Sequence, residues 1–594
     1  MKAWFAMTLG LLVACSGRPR QGQLDDREPE PGKSDSRIVE IDLTGGAPES
    51  SGERLFQLPA SRTYTGLVRA LDRAFEDKQT AGLFVKLGSE SLDFTHAAEL
   101  GRAIARFREK RLPVVCHAHD LSNASAAFTL SACSRIWLSA AGSVDTVGIA
   151  AELVHVKNLL DRLKVGVDFI HMGKYKGGAE PLTRTEPSEA TREALTSTLS
   201  SIRAAWLHDV ERARPGVAPA LEAGPYAPEE AKTQKLVDAV GFESEALEDA
   251  KKLGKTRFVK PGYGPEMSDG SGLDIGQLVR LLAGSGDSDS SGPRLAVVPA
   301  EGAITMEAGG PLDSGGITAR SLTKTLRRLR NDDSVKAVVL RIDSPGGSPL
   351  ASDLIWHELM ELRKKKPVVT SVGSMCASGG YYIASGSQRI FAEASSIVGS
   401  IGVFGGKIVF GPALHEVGID SFLIPANPAT SDRAAYLSPF RLWDEPTRER
   451  VRAHMQGVYD LFIQRIVAGR GMNADAVRAA AEGRIYSGTQ GKELGLVDEL
   501  GGLGRAIDAA KKLGKLDRDI PVSVEGPREG LLDRLLLGES ASESEVRAAI
   551  LRFEERGSTL RALPKSLRVY ASSLSPLSAG ESAVVALPAG LSLR

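Results

Sequence analysis

A serine followed by two glycines is the first place in this chain where chemistry is expected. Ser378 follows a strand-like run at 367–370 and precedes Gly379 and Gly380, after which an apolar segment covers 381–385. The glycines permit a tight turn and keep Cβ atoms away from anything bound beside the serine. If a helix begins here, its free backbone N–H groups favour an anion such as an acyl-transfer intermediate. We interpret Ser378 as a nucleophile; a Ser-Gly-Gly turn without chemistry is the alternative.

A second glycine turn lies upstream of the serine. The apolar strand at 337–342 runs into the sequence Asp-Ser-Pro-Gly-Gly at 343–347. In a parallel sheet with helices on both faces, the two turns would meet at the C-terminal ends of neighbouring strands, where ligands bind. The backbone amides of Gly347 and Gly379 are therefore our candidates for an oxyanion hole. The glycine-punctuated run at 395–403 is expected to line the same pocket.

Self-comparison indicates that the chain is a tandem duplication. Leu-Pro-Val-Val at 112–115 matches Lys-Pro-Val-Val at 366–369, and Arg-Ile-Trp-Leu at 135–138 matches Arg-Ile-Phe-Ala at 389–392. Both pairs are 254 positions apart, as expected for two copies of one unit. Each copy alternates strands with helices, which predicts parallel βαβ units and an α/β fold class.

The two copies differ where the glycine turns lie. The same offset puts Asp93 opposite Gly347 and Ala124 opposite Ser378, so the first copy has lost both turns. Ser125 lies one position further on and is a rival nucleophile.

The runs DSPGG, CASGGYY and IVGSIGV, in this order and spacing, resemble the signal peptide peptidase A family. That family is similar in fold to Clp protease and crotonase. The resemblance extends over nearly the whole chain and points to the long, two-repeat form. It implies a tandem ClpP/crotonase-like superhelical fold, a split serine/lysine dyad, no metal or cofactor, and assembly into a homo-tetrameric bowl that admits unfolded peptides.

The lysine of that dyad is expected in the first copy. The sequence Lys-Tyr-Lys-Gly-Gly covers 174–178, whereas the equivalent of Lys176 in the second copy is Thr430, in a segment without lysine. The family's lysine follows a tyrosine, which favours Lys176 as general base over its neighbour Lys174. A lysine can act this way only if burial lowers its pKa from about 10.4 towards neutrality. Ser400 occupies the position of a family serine that hydrogen-bonds this lysine; an ordinary strand-end serine is the alternative.

Histidine is the commoner partner of a catalytic serine, so a Ser/His/Asp arrangement is a further hypothesis. It would use His171 or His357 together with Asp343. Neither histidine has a recognisable motif around it.

The N-terminal sequence and the cysteines give indications of where the protein lies in the cell. Residues 1–14 read as a signal peptide, and the sequence Leu-Val-Ala-Cys ending at Cys15 resembles a bacterial lipobox. We expect Cys15 to carry a lipid that anchors the chain to a bacterial membrane, facing the periplasm, with inner and outer membrane both open. An ordinary secretory signal is the alternative. Cys116 and Cys133 either form a disulfide or remain buried thiols.

Length and charge complete the prediction. The 594 residues are too many for one core, and 74 basic residues against 74 acidic ones give no excess for binding nucleic acid. We expect a signal peptide at 1–14, a tether at 15–36, a first domain with the lysine at 37–262, a linker at 263–293, a second domain with the serine at 294–518, and an extension of undisclosed role at 519–594.

The predicted function is a membrane-associated serine endopeptidase for signal-peptide remnants and other unfolded peptides. A crotonase-like acyl-CoA enzyme and a non-catalytic scaffold are the alternatives.

Overall fold

The structure is a computed structural model that describes residues 35–49, 63–89, 92–264, 292–307, 316–526, 574 and 584–586. The predicted signal peptide, Cys15 and nearly all of the tether lie outside the described residues. Most of the predicted linker 263–293 and of the extension 519–594 also lies outside them. Within the ranges that are described, none of the helices combines the length and apolar character needed to cross a bilayer.

The first repeat is built on a six-stranded parallel sheet with the order β8-β5-β3-β2-β1-β9. The strands in this part of the chain are β1 (Arg37–Leu43), β2 (Thr80–Leu87), β3 (Val114–Ala118), β4 (Leu121–Ser122), β5 (Arg135–Leu138), β6 (Val144–Asp145), β7 (Gly166–Met172), β8 (Ala239–Val240) and β9 (Phe258–Tyr263). The helices are Tyr64–Glu76, Phe94–Glu109, Asn123–Ala132, Lys157–Arg162, Glu180–Thr183, Glu189–Ala213, Pro228–Thr233 and Glu243–Leu253, with a 3₁₀ turn at Ala218–Glu222.

The second repeat contains an eight-stranded sheet with the main order β19-β17-β15-β13-β10-β21, in which β16 and β20 branch from β15. Its strands are β10 (Arg294–Glu301), β11 (Ile304–Thr305), β12 (Ile317–Thr318), β13 (Val335–Ser344), β14 (Gly346–Gly347), β15 (Val368–Ala377), β16 (Arg389–Ala392), β17 (Ile397–Gly399), β18 (Val403–Val409), β19 (Ile485–Ser487), β20 (Glu499–Leu500), β21 (Val522–Val524) and β22 (Val585–Ala586). The helices are Ala319–Asn331, Pro349–Arg363, Gly379–Ala384, Gly411–His415, Ser431–Ala434, Glu445–Arg470, Ala474–Ala480, Gly488–Glu493 and Leu503–Leu513, with a 3₁₀ turn at Pro428–Thr430.

The predicted tandem α/β duplication is confirmed. Strands β5 and β16 are separated by the 254 positions of the sequence repeat, and both pair in parallel with the preceding long strand of their sheet. Local sequence explains the crossover helices: in the helix Pro349–Arg363, for example, Ser348 caps the N-terminus by accepting from the amide of Ala351, and proline occupies the first turn. Apolar residues at helical spacing, such as Ile355, Leu359 and Leu362, are fully buried.

The two repeats are joined by a strand pair that crosses between them. Strand β7 of the first repeat runs antiparallel to β18 of the second, in register from Met172 opposite Val403 to Gly166 opposite Val409. Because backbone hydrogen bonds hold this pair together, the loop that follows β7 is delivered to the second repeat.

A buried polar network also spans the repeats. Arg341 in β13 is fully buried, and its guanidinium donates to Glu49 at 2.7 Å and to Glu99 at 2.6 Å, both of which belong to the first repeat. His96 lies 2.9 Å from the same Glu49 oxygen. Removing one partner from such a buried pair typically costs about 3–5 kcal/mol, so the network ties the relative position of the two sheets to side-chain geometry.

The C-terminal extension contributes two strands to the second repeat. Strand β21 lies beyond the predicted limit at residue 518 and pairs in parallel with β10. Strand β22 pairs antiparallel with β14, so the two residues Val585 and Ala586 lie opposite Gly347 and Gly346.

Of the two possibilities for Cys116 and Cys133, a disulfide or buried thiols, the structure has the disulfide. Cys116 in β3 and Cys133 at the end of the helix Asn123–Ala132 form a disulfide, with their Cα atoms 6.0 Å apart. Cys376 is buried and free.

Candidate active site

Ser378 stands at the junction between β15 and the short helix Gly379–Ala384. Its backbone has φ 56° and ψ −113°, a conformation that residues other than glycine rarely adopt. The amide of Ser378 donates to the carbonyl of Gly399 at 2.7 Å, and its carbonyl accepts from Tyr382 at 2.8 Å. The sharp turn between strand and helix is thus held from both sides. The side chain has no exposed surface.

The two predicted oxyanion glycines lie next to each other. A Cβ atom on Gly379 would stand 3.2 Å from the amide nitrogen of Gly347, so the two backbones are in contact. Gly347 itself packs against β11, where a Cβ would meet the carbonyl oxygen of Ile304 at 2.0 Å. Only glycine fits there, and this is the physical reason for the second glycine of the Pro-Gly-Gly turn.

Lys176 of the first repeat reaches the serine of the second. Its Nζ lies 2.8 Å from Oγ of Ser378, and it donates to the carbonyl oxygen of Ser400 at 2.8 Å and to Oγ of Ser400 at 3.0 Å. The lysine is 2% exposed. The structure therefore brings together the three side chains that the sequence analysis selected from two different repeats.

Burial acts on the lysine, and among the described residues no anion offsets it. Desolvation lowers the pKa of Lys176 well below its ordinary value, because burial removes the hydration of the ammonium and the neutral oxygens around it do not fully replace that hydration. A neutral amine is the form that can accept a proton from a serine hydroxyl.

The segment 482–484 holds the lysine in place, and the sequence analysis missed it. The amide of Tyr175 donates to the carbonyl of Glu482 at 2.7 Å, and the amide of Ser400 donates to the carbonyl of Arg484 at 2.7 Å. Between them, Gly483 lies so close to Lys176 that a Cβ would stand 2.6 Å from the Cβ and the amide nitrogen of the lysine. The one available signal was a glycine flanked by Glu482 and Arg484, which is too common to single out a site.

Neither Ser125 nor Lys174, the alternatives to Ser378 and Lys176, lies in this cluster. Ser125 is buried in the first repeat, where its hydroxyl accepts from the amide of Ser122 as half of a capping box. Lys174 is exposed, and its ammonium lies 5.0 Å from the ring centre of Tyr175. The chain turns at 173–176, where the amide of Lys176 donates to the carbonyl of Gly173 at 3.1 Å, so the two lysines do not point the same way and differ completely in burial.

The Ser/His/Asp hypothesis finds no matching geometry. His171 is exposed with its Nδ1 3.1 Å from the carbonyl oxygen of Gly173, and His357 is exposed on the helix Pro349–Arg363. Asp343 accepts from the backbone amides of Ser374 and Met375, each at 3.1 Å. Burial, together with nearby carboxylates, raises the pKa of Asp343 to about 7. Its contacts tie it to strand β15 rather than to a histidine.

One group of described residues has the composition of a metal site. Ligand atoms of His117, His119 and Glu243 lie within 4.8 Å of one another. The ammonium of Lys86 is already 3.4 Å from Glu243, so a cation stands beside that carboxylate. None of these residues belongs to the serine and lysine cluster.

Comparison with known proteins adds independent information. The model of Peptidase family S49 matches residues 106–257 and 360–517, once in each repeat. The chain is 30% identical over 497 residues to Protease 4 of Salmonella typhi, which covers 81% of this chain and 77% of that protein. It is 28% identical over 512 residues to Protease 4 of Haemophilus influenzae, covering 82% and 78%. It is 26% identical over 539 residues to the chloroplastic serine protease SPPA of Arabidopsis thaliana, covering 84% and 76%.

Among solved structures, a ClpP1 mutant from Listeria monocytogenes is similar with a TM-score of 0.24 and 15% identity, covering 36% of this chain and 94% of that one.

Proposed function

Because the chain belongs to peptidase family S49 and is a serine-type peptidase, we propose that it is a membrane-associated endopeptidase that cleaves signal-peptide remnants and other unfolded peptides in the cell envelope. The observation that carries the catalytic part is the 2.8 Å contact between Nζ of Lys176 and Oγ of Ser378. Lys176 belongs to the first repeat and Ser378 to the second, so the proposed site requires both halves of the chain.

The proposed reaction is acyl transfer through Ser378. Its Oγ attacks the carbonyl carbon of the scissile peptide bond while its proton passes to Nζ of Lys176. The negative charge that develops on the carbonyl oxygen is stabilised by the amides of Gly347 and Gly379. The C–N bond then breaks, and the leaving amine takes the proton from Lys176. Water attacks the resulting ester with Lys176 again as base, and the proton returns to Ser378 as the ester bond breaks.

Two observations support an unfolded peptide as substrate. Ser378 has no exposed surface and Lys176 is almost as fully buried, so a folded protein surface does not reach the dyad. The neighbouring backbone at Gly346 and Gly347 forms β14, a strand to which an extended peptide can add by backbone hydrogen bonds.

The envelope location rests on the N-terminal sequence and on the disulfide. The apolar run before Cys15 and its lipobox pattern support export and lipid attachment. The bond between Cys116 and Cys133 supports an oxidising compartment outside the cytoplasm, where disulfides persist. Mass spectrometry of the mature N-terminus tests this directly, because it should begin with a diacylated Cys15; a chain beginning with an unmodified residue contradicts the anchor.

Assembly into a homo-tetramer is supported by the repeat itself. The segment 420–426 stands 254 positions after β7, the strand that joins the two repeats, yet it forms no strand and exposes 86% of Phe422 and 90% of Ile424. A second copy of the chain, offering the first-repeat equivalent of β18 at 149–155, would complete the pairing that β7 and β18 make within one chain. Head-to-tail contacts of this kind form a ring when the rotation between successive copies closes, and a tetramer is the ring proposed here.

Matched variants test the proposed dyad. Ser378→Ala and Lys176→Met should each lower peptide cleavage by about 10³-fold or more, since nucleophile and base act as a unit. Met keeps the buried side-chain volume of Lys176, so both variants should retain the circular dichroism spectrum and melting temperature of the wild type. The control Lys174→Met removes the exposed lysine two positions away and should retain full activity.

The readouts are mass spectrometry of products from a mixed peptide pool and labelling of Ser378 by a fluorophosphonate. A non-catalytic scaffold would show no cleavage in any variant, and a crotonase-like hydratase would remain unlabelled. Full activity in Lys176→Met would overturn the assignment of the base.

A further inference from the structure

Two histidines lie on one face of the first sheet, at the carboxyl ends of its strands. His117 is in β3, and His119 follows the last residue of that strand, yet the amide of His119 still donates to the carbonyl of Leu87 in β2 at 3.1 Å. The chain is therefore extended over these residues, and side chains two positions apart on an extended chain point the same way. The ring centres of the two histidines are 5.9 Å apart. In α/β folds this end of the sheet is where ligands bind.

Glu243 brings a carboxylate to the two imidazoles. It is the first residue of a helix that packs on this face of the sheet through Ala246 and Ala250. One ligand atom from each of His117, His119 and Glu243 lies within 4.8 Å of the other two. A tetrahedral zinc ion with bonds of about 2.0–2.1 Å needs ligand atoms about 3.4 Å apart, so each atom has to move by less than about 1 Å to close the group.

The three side chains have the burial and protonation that suit a metal ion. His117 is 2% exposed, and desolvation by burial lowers its pKa, which favours the neutral imidazole that binds metals. Its Nε2 lies 3.3 Å from the carbonyl oxygen of Gly241, a partner that can hold the ring through one nitrogen and leave the other for an ion. His119 is exposed and Glu243 is half-buried, so an ion can enter from solvent.

The charges beside the two histidines favour a divalent cation. The ammonium of Lys86 lies 3.1 Å from Glu40, 3.0 Å from Asp42 and 3.4 Å from Glu243. Three carboxylates against one ammonium leave this group of four side chains with two negative charges, which a divalent cation would balance. Glu243 is the most distant of the three partners, so Lys86 keeps the two nearer carboxylates when Glu243 binds an ion.

The second repeat has the same fold without these side chains. The offset of 254 that aligns β3 with β15 puts Ser371 opposite His117. The sequence Lys-Lys-Leu-Gly-Lys begins at residue 251 in the first repeat and at residue 511 in the second, and this alignment puts the fully buried Leu503 opposite Glu243. The fold therefore does not require a histidine or a glutamate at these places. Since burying a polar group costs free energy unless a partner compensates it, a bound ion gives these residues a reason to be there.

We propose that His117, His119 and Glu243 bind a first-row divalent cation, and that zinc is the ion their two imidazoles and one carboxylate suit best. The ion links β3 to the helix that begins at Glu243, two elements far apart in the chain, and so stabilises the first repeat, which carries Lys176. It takes no part in the reaction at Ser378, and the inference is therefore independent of the proposed peptidase chemistry.

Zinc binding by the full-length chain, purified without a histidine tag and stripped with EDTA, tests the inference. We expect one tightly bound zinc ion per chain at micromolar free metal, measured by competition with a chromophoric chelator and by elemental analysis. His119→Gln removes an exposed ligand and should weaken zinc binding by about 100-fold, and zinc should raise the melting temperature of the wild type but not of this variant. The control His357→Gln removes an exposed histidine outside the group and should bind zinc as the wild type does.

A second pair of variants separates coordination from charge. Glu243→Gln removes a proposed ligand, whereas Glu40→Gln removes an equal charge that lies beside Lys86 but outside the ligand group. We expect binding about 100-fold weaker for Glu243→Gln and less than about fivefold weaker for Glu40→Gln. Zinc binding that is unchanged in His119→Gln and Glu243→Gln, or that needs millimolar metal in the wild type, would overturn the inference. Equal losses in Glu243→Gln and Glu40→Gln would also overturn it, because charge alone would then account for the binding.

Discussion

The three oxygen atoms around Nζ of Lys176 match the hydrogen-bonding capacity of a neutral primary amine. It can donate two hydrogens, and the carbonyl oxygen and hydroxyl of Ser400 lie 2.8 and 3.0 Å away to receive them. Its one lone pair can then accept the hydroxyl hydrogen of Ser378 at 2.8 Å. Two oxygens of Ser400 can therefore accept both N–H groups and leave the lone pair facing Oγ of Ser378, as the proposed orienting role requires.

The lowered pKa of Lys176 predicts the pH dependence of activity. Since the neutral amine is the proposed base, kcat/KM should be low at acid pH and rise as pH increases through the depressed pKa of Lys176, with a midpoint well below the ordinary lysine value of 10.5. The same shift acts on stability: between the two pKa values the unfolded chain binds the extra proton, so Lys176 makes stability rise with pH towards 10.5. Measurement of kcat/KM against pH, with Lys174→Met as the control that keeps the profile, checks this. A flat profile or a midpoint near that of a free lysine would contradict it.

At the scale of elements, two side chains of the candidate site stand directly after the ends of strands. Ser378 follows β15 with φ 56°, and Ser400 follows β17 with φ 52°. Both residues are held at positive φ by hydrogen bonds from their own amides, to the carbonyls of Gly399 and Arg484, and such a conformation costs of order 1–3 kcal/mol each. Strained residues of this kind persist where the surrounding ladder over-determines them, and here the ladder is the parallel pairing of β15 with β17.

The segment 482–484 predicts a specific loss of function. Gly483→Ala would place a methyl group 2.6 Å from the backbone of Lys176, so the lysine must move. A displacement of about 1 Å at a catalytic group can cost about 10²-fold, and we expect kcat to fall by that order. Gly471 provides the matched control: its φ of 66° is similar to the 76° of Gly483, but nothing lies within 4 Å of its Cβ position.

Both alanine variants should lose about 1 kcal/mol of stability through their left-handed backbone, and Gly483→Ala should lose more because its methyl group also collides with the backbone of Lys176. Only Gly483→Ala should impair cleavage. Denaturant titration and peptide kinetics on the two variants separate the effects, and equal activities would show that 482–484 does not position the lysine.

At the scale of the whole molecule, the duplication lets one chain contain an active site that neither repeat contains alone. Strand β7 carries the lysine loop across to β18, and the buried guanidinium of Arg341 fixes the two sheets against each other through Glu49 and Glu99. The proposed mechanism therefore needs no glycine turns in the first repeat, because the lysine of the first repeat lies beside Ser378 and the glycine turns of the second.

The same repeat logic predicts where copies of the chain meet. Replacing Phe422 and Ile424 together by aspartate should weaken self-association by about 100-fold, since each buried large apolar side chain contributes roughly 1.5–3 kcal/mol. Phe242→Asp is the control, because Phe242 is 71% exposed but lies outside the segment 420–426. Sedimentation velocity over a range of concentrations measures the effect. A wild-type chain that stays monomeric, or a double variant that associates as wild type does, would contradict head-to-tail assembly through this segment.

The sequence alone determined the features that leave a local or periodic trace. The 254-residue repeat, the alternation of strands and helices, and the two glycine turns are written in consecutive residues, and the presence of Lys176 in one copy against its absence in the other follows from aligning them. The close approach of backbones at Gly347 and Gly379 could be predicted from the sequence, because contacts too close for a Cβ atom admit only glycine.

Only the tertiary structure decided the contacts between residues far apart in the chain. The seat of Lys176 against Gly483, the pairing of Cys116 with Cys133, and the insertion of Val584 beside Phe404 depend on which surfaces the two repeats bring together. Such contacts add no periodicity to the sequence, and a buried lysine and an exposed one two positions away look alike in it. Burial, which sets the pKa of Lys176 and hence its chemistry, is a property of the packed chain rather than of the residues themselves.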